Sequence, residues 1–262
     1  MIKPKKSLGQ NFLIDDNIID KIINIIKIED KNILEIGPGT GNLTSSILKK
    51  NPKKIIVIEK DDKLTDLLHE NFKSNIHIIN KDVLKIDEKF LDKETLSVFG
   101  NLPYNISTEI LCKWILNLDD KKFWFDCLIL MFQKEVANRI ISKFNTKNYG
   151  RLSILANWKL NIKKICDVKP SSFYPKPEVD SSVLLFKPKE EFIKLKKSIY
   201  LEKVTRVFFM HRRKMIKKPY NQLFARNNDI ASKLNIDLNL RPQNLDFETY
   251  FKIAREYENL SG

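Results

Sequence analysis

Short apolar runs, "ILEI", "IIVIE", "IHIIN", "LSVF" and "FDCLILMFQ", take turns along the first 140 residues with stretches of helical spacing, "NLTSSILKK", "DDKLTDLLHENFK", "TEILCKWIL" and "KEVANRIIS". Strands separated by helices need crossover connections, which are right-handed and build a parallel sheet covered on both faces. The alternation therefore predicts an α/β fold, a mostly parallel sheet with helices on both faces. Ligands of such sheets bind outside the carboxyl ends of the strands. The places to look for chemistry are thus the strand exits at residues 37–41, 59–61, 81–83 and 101–104. A further helix over 16–28 carries Ile18, Ile19, Ile22, Ile23, Ile25 and Ile26, with Asp15 or Asp16 as its N-cap. After "SSVLLFKP", at 181–188, strand patterns stop and helical ones follow, including "YLEKVTRVFFMHRRKMI" and "DFETYFKIAREYENL". The chain is expected to divide there, into an α/β domain at 1–188 and a small helical domain at 189–262.

The first exit, "EIGPGTG", has glycines at 37, 39 and 41. Asn42 breaks the dinucleotide fingerprint, and no Gly-Lys-Ser/Thr follows to make a P-loop. A G-x-G-x-G turn still lets the backbone approach a nucleoside closely. Glu59 ends the next strand about twenty residues on, where an acid accepts from ribose hydroxyls. Asp82 ends the third strand, in place to accept from an adenine amino group, and Glu35 adds a carboxylate beside the turn. Carboxylates without a phosphate-binding lysine suit a cationic nucleoside, and S-adenosylmethionine, a sulfonium without phosphates, meets that description. The plain alternative is an ordinary strand–helix turn with solvated strand-end acids; agreement among four exits weighs against it.

The fourth exit, "NLPYNIST", delivers an amide, a rigid proline and an aromatic ring to one point. Asn101 offers an acceptor and a donor. Pro103 fixes φ and lacks an N–H, so neighbouring carbonyls can face inward. Tyr104 offers a flat face. Together they suit a planar base with an exocyclic amine. The N6 hydrogens of adenine would donate to the Asn101 side-chain oxygen and to the Leu102 or Pro103 carbonyl, localising the nitrogen lone pair for attack on a methyl group. Tyr104 would stack on the extruded base. In "SSFYPKPEVDSSV", Phe173 or Tyr174 stands beside two prolines, and Phe173 would cover the other face; the alternative is a buried hairpin anchor.

A net charge of +14 attracts polyanions, nucleic acid first among them, although Lys, Asn and Ile abound throughout the chain and that bias alone inflates the lysine count. Three cysteines, Cys112, Cys127 and Cys166, form no CxxC pair and no zinc pattern; no metal is expected, and reduced thiols in a cytoplasmic protein are. "MIKPKKSLGQ" has no secretory apolar core, and the stretch around "CLILMF" is too short to span a bilayer.

The pieces "KKSLGQNFLID", "LEIGPGTGNLT", "VIEKD", "KDVL", "FGNLPYNIST", "QKEVANRI", "SSFYPKPEVDSSV" and "FFMHRRK" occur in one order from residue 5 to about residue 214. As a set they resemble the small-subunit ribosomal RNA adenine N6,N6-dimethyltransferases, the KsgA/RsmA family. The resemblance implies a Rossmann-like class I S-adenosylmethionine-dependent methyltransferase domain plus a small helical domain. It implies dimethylation of two adjacent adenines in the loop of the 3′-terminal helix of small-subunit (16S) rRNA, within a pre-30S particle. A cytoplasmic monomer without membrane contact is the default expectation. By matching motifs, Asn11, Leu13, Gly37, Glu59, Asp82 and Asn101 would touch the methyl donor, Asn101, Leu102, Pro103 and Tyr104 would clamp N6, and Phe173 would flank the base. Asn11 and Leu13 follow from the resemblance alone; the residues themselves suggest only a basic arm. Arg206, Arg212, Arg213 and Lys214 would contact RNA phosphates, unless the run is simply a solvated helix face. Rival functions are the large-subunit adenine methyltransferase of macrolide resistance, which shares the donor loop and a similar clamp, a DNA adenine methyltransferase, for which no sequence-reading domain is evident, and a binding factor for immature subunits.

Overall fold

The computed structural model describes residues 4–5, 9–88, 91, 93–227 and 229–261. The first of its two compact units comprises residues 1–110, 121–137 and 162–188. Its strands are β1 (Phe12–Leu13), β2 (Asn32–Ile36), β3 (Lys54–Glu59), β4 (His77–Asn80), β5 (Leu96–Asn101), β6 (Phe125–Gln133), β7 (Leu160–Val168), β8 (Phe173–Tyr174) and β9 (Ser181–Pro188). Seven of them form one sheet in the order β4-β3-β2-β5-β6-β9-β7. From β4 through β6 every pairing is parallel, as the alternation requires. β9 runs antiparallel to β6, which accounts for the apolar run at 181–188 after the crossovers end.

Ile33, Val57, Phe99 and Ile129 are buried because a crossover-built sheet is covered on both faces. α1 (Asp16–Ile23) packs Ile19, Ile22 and Ile23 into the same core, and Asp15 caps it through Asn17 and Ile18 N–H. This helix ends at Ile23, with Asn24 as its C-cap, short of the 16–28 span in the sequence pattern. α2 (Asn42–Leu48) and α3 (Asp62–Phe72) follow β2 and β3, so their N-termini stand at strand exits, and α4 (Ser107–Leu116) and α5 (Lys134–Ile140) follow β5 and β6. The two-stranded β1–β8 sheet, with Phe12 opposite Tyr174 and Leu13 opposite Phe173, is absent from the sequence pattern.

The second unit comprises residues 111–120, 138–161 and 189–262. It takes up the segment from residue 189 together with two earlier stretches that the division at 188 assigns to the α/β domain. The reason is apolar burial: α6 (Arg151–Lys159) buries Ile154, Leu155 and Trp158, and it packs on α7 (Ile199–Phe209) and α10 (Phe247–Ser261). Trp158 Nε1 donates to the Ile193 carbonyl at 2.8 Å, and Tyr149 meets Phe209 and Phe247 edge-on or tilted. The buried Lys159 ammonium pairs with Asp120 at 2.6 Å and lies over the Trp158 ring. α7 ends at Phe209, and α8 (Lys217–Phe224), followed by the short α9 (Asp229–Lys233), begins only at Lys217, so "HRRK" lies on a turn rather than on a helix.

Candidate active site

Strand order brings the exits of β2, β3, β4 and β5 side by side, Glu59 opposite Asn80 and Ile36 opposite Gly100. Over them opens a pocket with about 1210 Å³ of empty space, its solvent mouth included. Nine of the residues expected at the site line it: Asn11, Leu13, Gly37, Glu59, Asp82, Asn101, Leu102, Pro103 and Tyr104.

Gly37 and Gly39 have φ of +66° and +59°, so the turn after β2 needs residues without a Cβ. A Cβ on Gly39 would meet the Phe12 ring at 2.7 Å, and one on Gly37 would come to 3.5 Å from the Asn101 carbonyl oxygen. The loop is therefore packed close between β1 and the exit of β5. Glu59 Oε1 accepts from Lys60 N–H at 2.8 Å and Asp61 N–H at 2.9 Å, while Oε2 receives a long 3.4 Å contact from Gly39 N–H. Burial raises the Glu59 pKa and these backbone donors pull it back. Asp82 accepts from Leu84 N–H at 3.0 Å and from the Lys60 ammonium at 2.8 Å, and Lys60 chiefly lowers its pKa. Glu35, buried behind the turn, takes the Thr44 hydroxyl at 2.7 Å. Three acids, Glu35, Glu59 and Asp82, thus line a pocket with two lysines, Lys81 and the already paired Lys60, and these acceptors fit S-adenosylmethionine, a cation with ribose and adenine hydrogens to donate.

Asn101 ends β5, and its side-chain N–H donates to the Asn11 carbonyl at 2.8 Å. That bond fixes which way the amide faces and leaves Oδ1 as the acceptor. The Pro103 carbonyl receives Ile106 N–H at 3.1 Å. Tyr104 Oη is tied to Ser181 Oγ at 2.5 Å, which sets the ring at the pocket wall, and burial raises its pKa.

Phe173 is not brought to this place. It is 1% exposed, lies in the core and pairs with Leu13 across β1–β8, outside the pocket lining. Successive strand residues face opposite ways, so β8 turns Phe173 inward and leaves Tyr174 51% exposed. This geometry matches the buried anchor, and it does not place Phe173 over a base.

The expected RNA-contacting residues belong to the second unit. Arg206, Arg213 and Lys214 are exposed. Arg212 is half-buried, and its guanidinium donates to the Lys147 carbonyl and, at 3.5 Å, to that of Thr146. It fastens a loop rather than standing clear for phosphate. Among the described residues no group of three or more His, Cys, Asp or Glu is placed to hold a metal, and no helix is long and apolar enough to cross a membrane.

Sequence reasoning missed Gln10, Phe12 and Asn42 of the pocket. Asn42 spoils the dinucleotide fingerprint, and that was its signal: its side chain donates to the Leu13 carbonyl at 2.8 Å, tying the N-terminal segment to α2. Lys6, Ser7 and Leu8 of "KKSLGQNFLID" lie outside the described residues.

The family model for ribosomal RNA adenine dimethylase matches residues 1–259. The chain belongs to the ribosomal RNA adenine dimethylase family. It is 63% identical over 261 residues to ribosomal RNA small subunit methyltransferase A of Pelagibacter ubique (strain HTCC1062), covering 100% of this chain and 99% of that one. To the protein of the same name from Ehrlichia ruminantium (strain Gardel) it is 43% identical, with 97% of each covered. Among solved structures, this dimethylase-family chain is similar to a dimethyladenosine transferase from Plasmodium falciparum (TM-score 0.78, 28% identity, 95% and 98% covered). It shares the fold of the 23S rRNA methyltransferase ErmE (TM-score 0.69, 21% identity, 95% and 100% covered).

Proposed function

We propose that the protein transfers methyl groups from S-adenosylmethionine to N6 of two adjacent adenines in the loop of the 3′-terminal helix of small-subunit (16S) rRNA. The acceptor is the rRNA within a pre-30S particle, and the enzyme acts as a cytoplasmic monomer with a part in small-subunit biogenesis. The observation that carries this reading is the 2.8 Å bond from Asn101 N–H to the Asn11 carbonyl. It turns the amide oxygen into an acceptor beside a pocket fitted for a cationic nucleoside.

When bound, S-adenosylmethionine supplies a methyl group on a positively charged sulfur that leaves as a neutral thioether. Glu59 and Asp82 would hold the nucleoside end through the lone pairs their present partners leave, and Gly37 would let the backbone come close. Asn101 Oδ1 accepts one N6 hydrogen of the extruded adenine. The second acceptor is the Leu102 or Pro103 carbonyl, the latter with one lone pair already taken by Ile106 N–H. Both bonds localise the N6 lone pair, and Tyr104 stacks on the ring, so positioning and electrostatics replace a strong base. The proton lost from N6 passes to solvent. Arg206, Arg213 and Lys214 hold phosphates and so orient the particle. Leu13 and Asn11 wall the donor pocket, and Phe173 supports that wall from the core through its pairing with Leu13.

The test offers labelled S-adenosylmethionine with undermethylated small subunits, large subunits and naked rRNA, followed by mass identification of the nucleoside. N6,N6-dimethyladenosine on small subunits is the expected result. Label on large subunits would overturn the substrate assignment. Asn101→Ala is expected to lower turnover by about 10²–10³-fold while particle binding persists; full activity would refute the clamp.

A further inference from the structure

Asp61 lines no part of the pocket, yet it is buried and unusually busy. Its Oδ1 accepts from Lys63 N–H at 3.1 Å, which caps α3, and from the Lys5 ammonium at 2.8 Å. Its Oδ2 takes the Gln10 side-chain N–H at 2.9 Å. Lys5 N–H in turn donates to Gln10 Oε1 at 2.6 Å, so Lys5 and Gln10 form a strap closed on itself as well as on Asp61. A helix cap needs one oxygen; the other is spent on the N-terminal segment. Gly9, Gln10, Asn11, Phe12 and Leu13 of that segment wall the donor pocket. Past the pocket it is anchored again, by the β1–β8 pairing, by Ile14 N–H to the Ser172 carbonyl at 2.9 Å and by Ser172 Oγ to Asp15 at 2.8 Å.

We propose that Asp61 is a positioning residue that latches Lys5 and residues 9–13 beside the methyl-donor pocket, and that this latch sets both donor affinity and the orientation of Asn101. The proposal rests on the donor-pocket reading above and adds a residue outside the pocket that acts through Lys5 and Gln10. Lys5 is half in solvent, and an exposed pair alone is worth little. The Asp61 side of the pair is buried, however, and its bond from Gln10 is assisted by the carboxylate charge. Burial pushes the Asp61 pKa up, and Lys5 and Gln10 more than offset that, so the carboxylate stays charged. Because Asn11 carries the carbonyl that Asn101 donates to, the closed strap and the correctly turned amide are one arrangement. A ligand that needs a closed strap binds more weakly in proportion to the closed fraction.

Two readouts test this without RNA. Asp61→Asn keeps an oxygen for the α3 cap, since Asn caps as well as Asp, but loses the charge and opposes Gln10 with a second donor. In the ligand-free variant, amide exchange across residues 9–14 is expected to accelerate at least tenfold while that of α3 is unchanged. The dissociation constant for S-adenosylhomocysteine, measured by calorimetry, is expected to rise about tenfold. Lys5→Met is expected to shift both readouts in the same direction, and the double variant to be no worse than Asp61→Asn alone. Unchanged exchange at 9–14 in Asp61→Asn would overturn the latch, as would additive effects in the double variant or an unchanged dissociation constant. Wild-type protein with a protected strap that failed to bind the thioether would instead refute the donor-pocket reading.

Discussion

The Asn101 side chain spends its N–H on the Asn11 carbonyl, so its oxygen has a direction before any base arrives. Sequence supplied the amide but not that direction, because the partner lies 90 residues away in a stretch without pattern. Glu35 is the other residue whose state depends on its neighbours. Burial pushes its carboxyl up to about 7, the Thr44 hydroxyl pulls it back, and the Glu59 charge adds repulsion. The fold therefore favours the neutral acid. Its stability contribution is full below the unfolded carboxyl value and is lost as pH rises through about 7, by up to about 3 kcal/mol. Glu35→Gln keeps an acceptor for Thr44 and removes this loss. Ligand-free thermal melts are expected to show the variant near wild type at pH 5 and more stable at pH 8. An equal gap at both values would refute the assignment. Phe173 differs from its expected place for a simple reason: a two-residue strand has no visible alternation, so nothing in "SSFYPKP" says which ring of the pair turns inward.

At the scale of elements, the strand exits were legible because each parallel strand must stop before its crossover, and the chain marks each stop with Gly, Asp, Glu or Asn. The β1–β8 sheet was not, since it is held by long-range pairing rather than by local preference. The sequence pattern predicts helix through the turn between α7 and α8 because its cations continue the spacing of α7. Its residues now divide into two kinds. Arg213→Ala and Lys214→Ala are each expected to weaken rRNA binding and to reduce the slope of log affinity against log salt by about one. Arg212→Ala is expected to loosen residues 146–147, seen as faster amide exchange there, with a smaller change in that slope. Equal slopes for Arg212 and Arg213 variants would show that the loop contact does not matter.

For the whole molecule, the division at residue 188 looked natural because strand patterns end there, whereas membership of a compact unit depends on what α6 can bury itself against. A chain cut after residue 188 keeps α6 but loses α7 and α10, its packing partners. It also loses the Ile193 carbonyl that satisfies Trp158. Such a fragment is expected to be less soluble than the full chain and to bind a hydrophobic dye, with a broadened thermal transition. A sharp, cooperative melt from a monodisperse fragment would contradict the packing described above.

The same threading has a meaning in time. During synthesis the chain emerges in order, so the sheet can close once β9 has left the ribosome, but α6 comes out earlier and must wait for residues of the last quarter of the chain. In that interval its apolar face is uncovered and open to wrong partners. A catalyst proposed to act on half-built ribosomal subunits thus passes through a half-built stage of its own, in which it needs shelter from the cell.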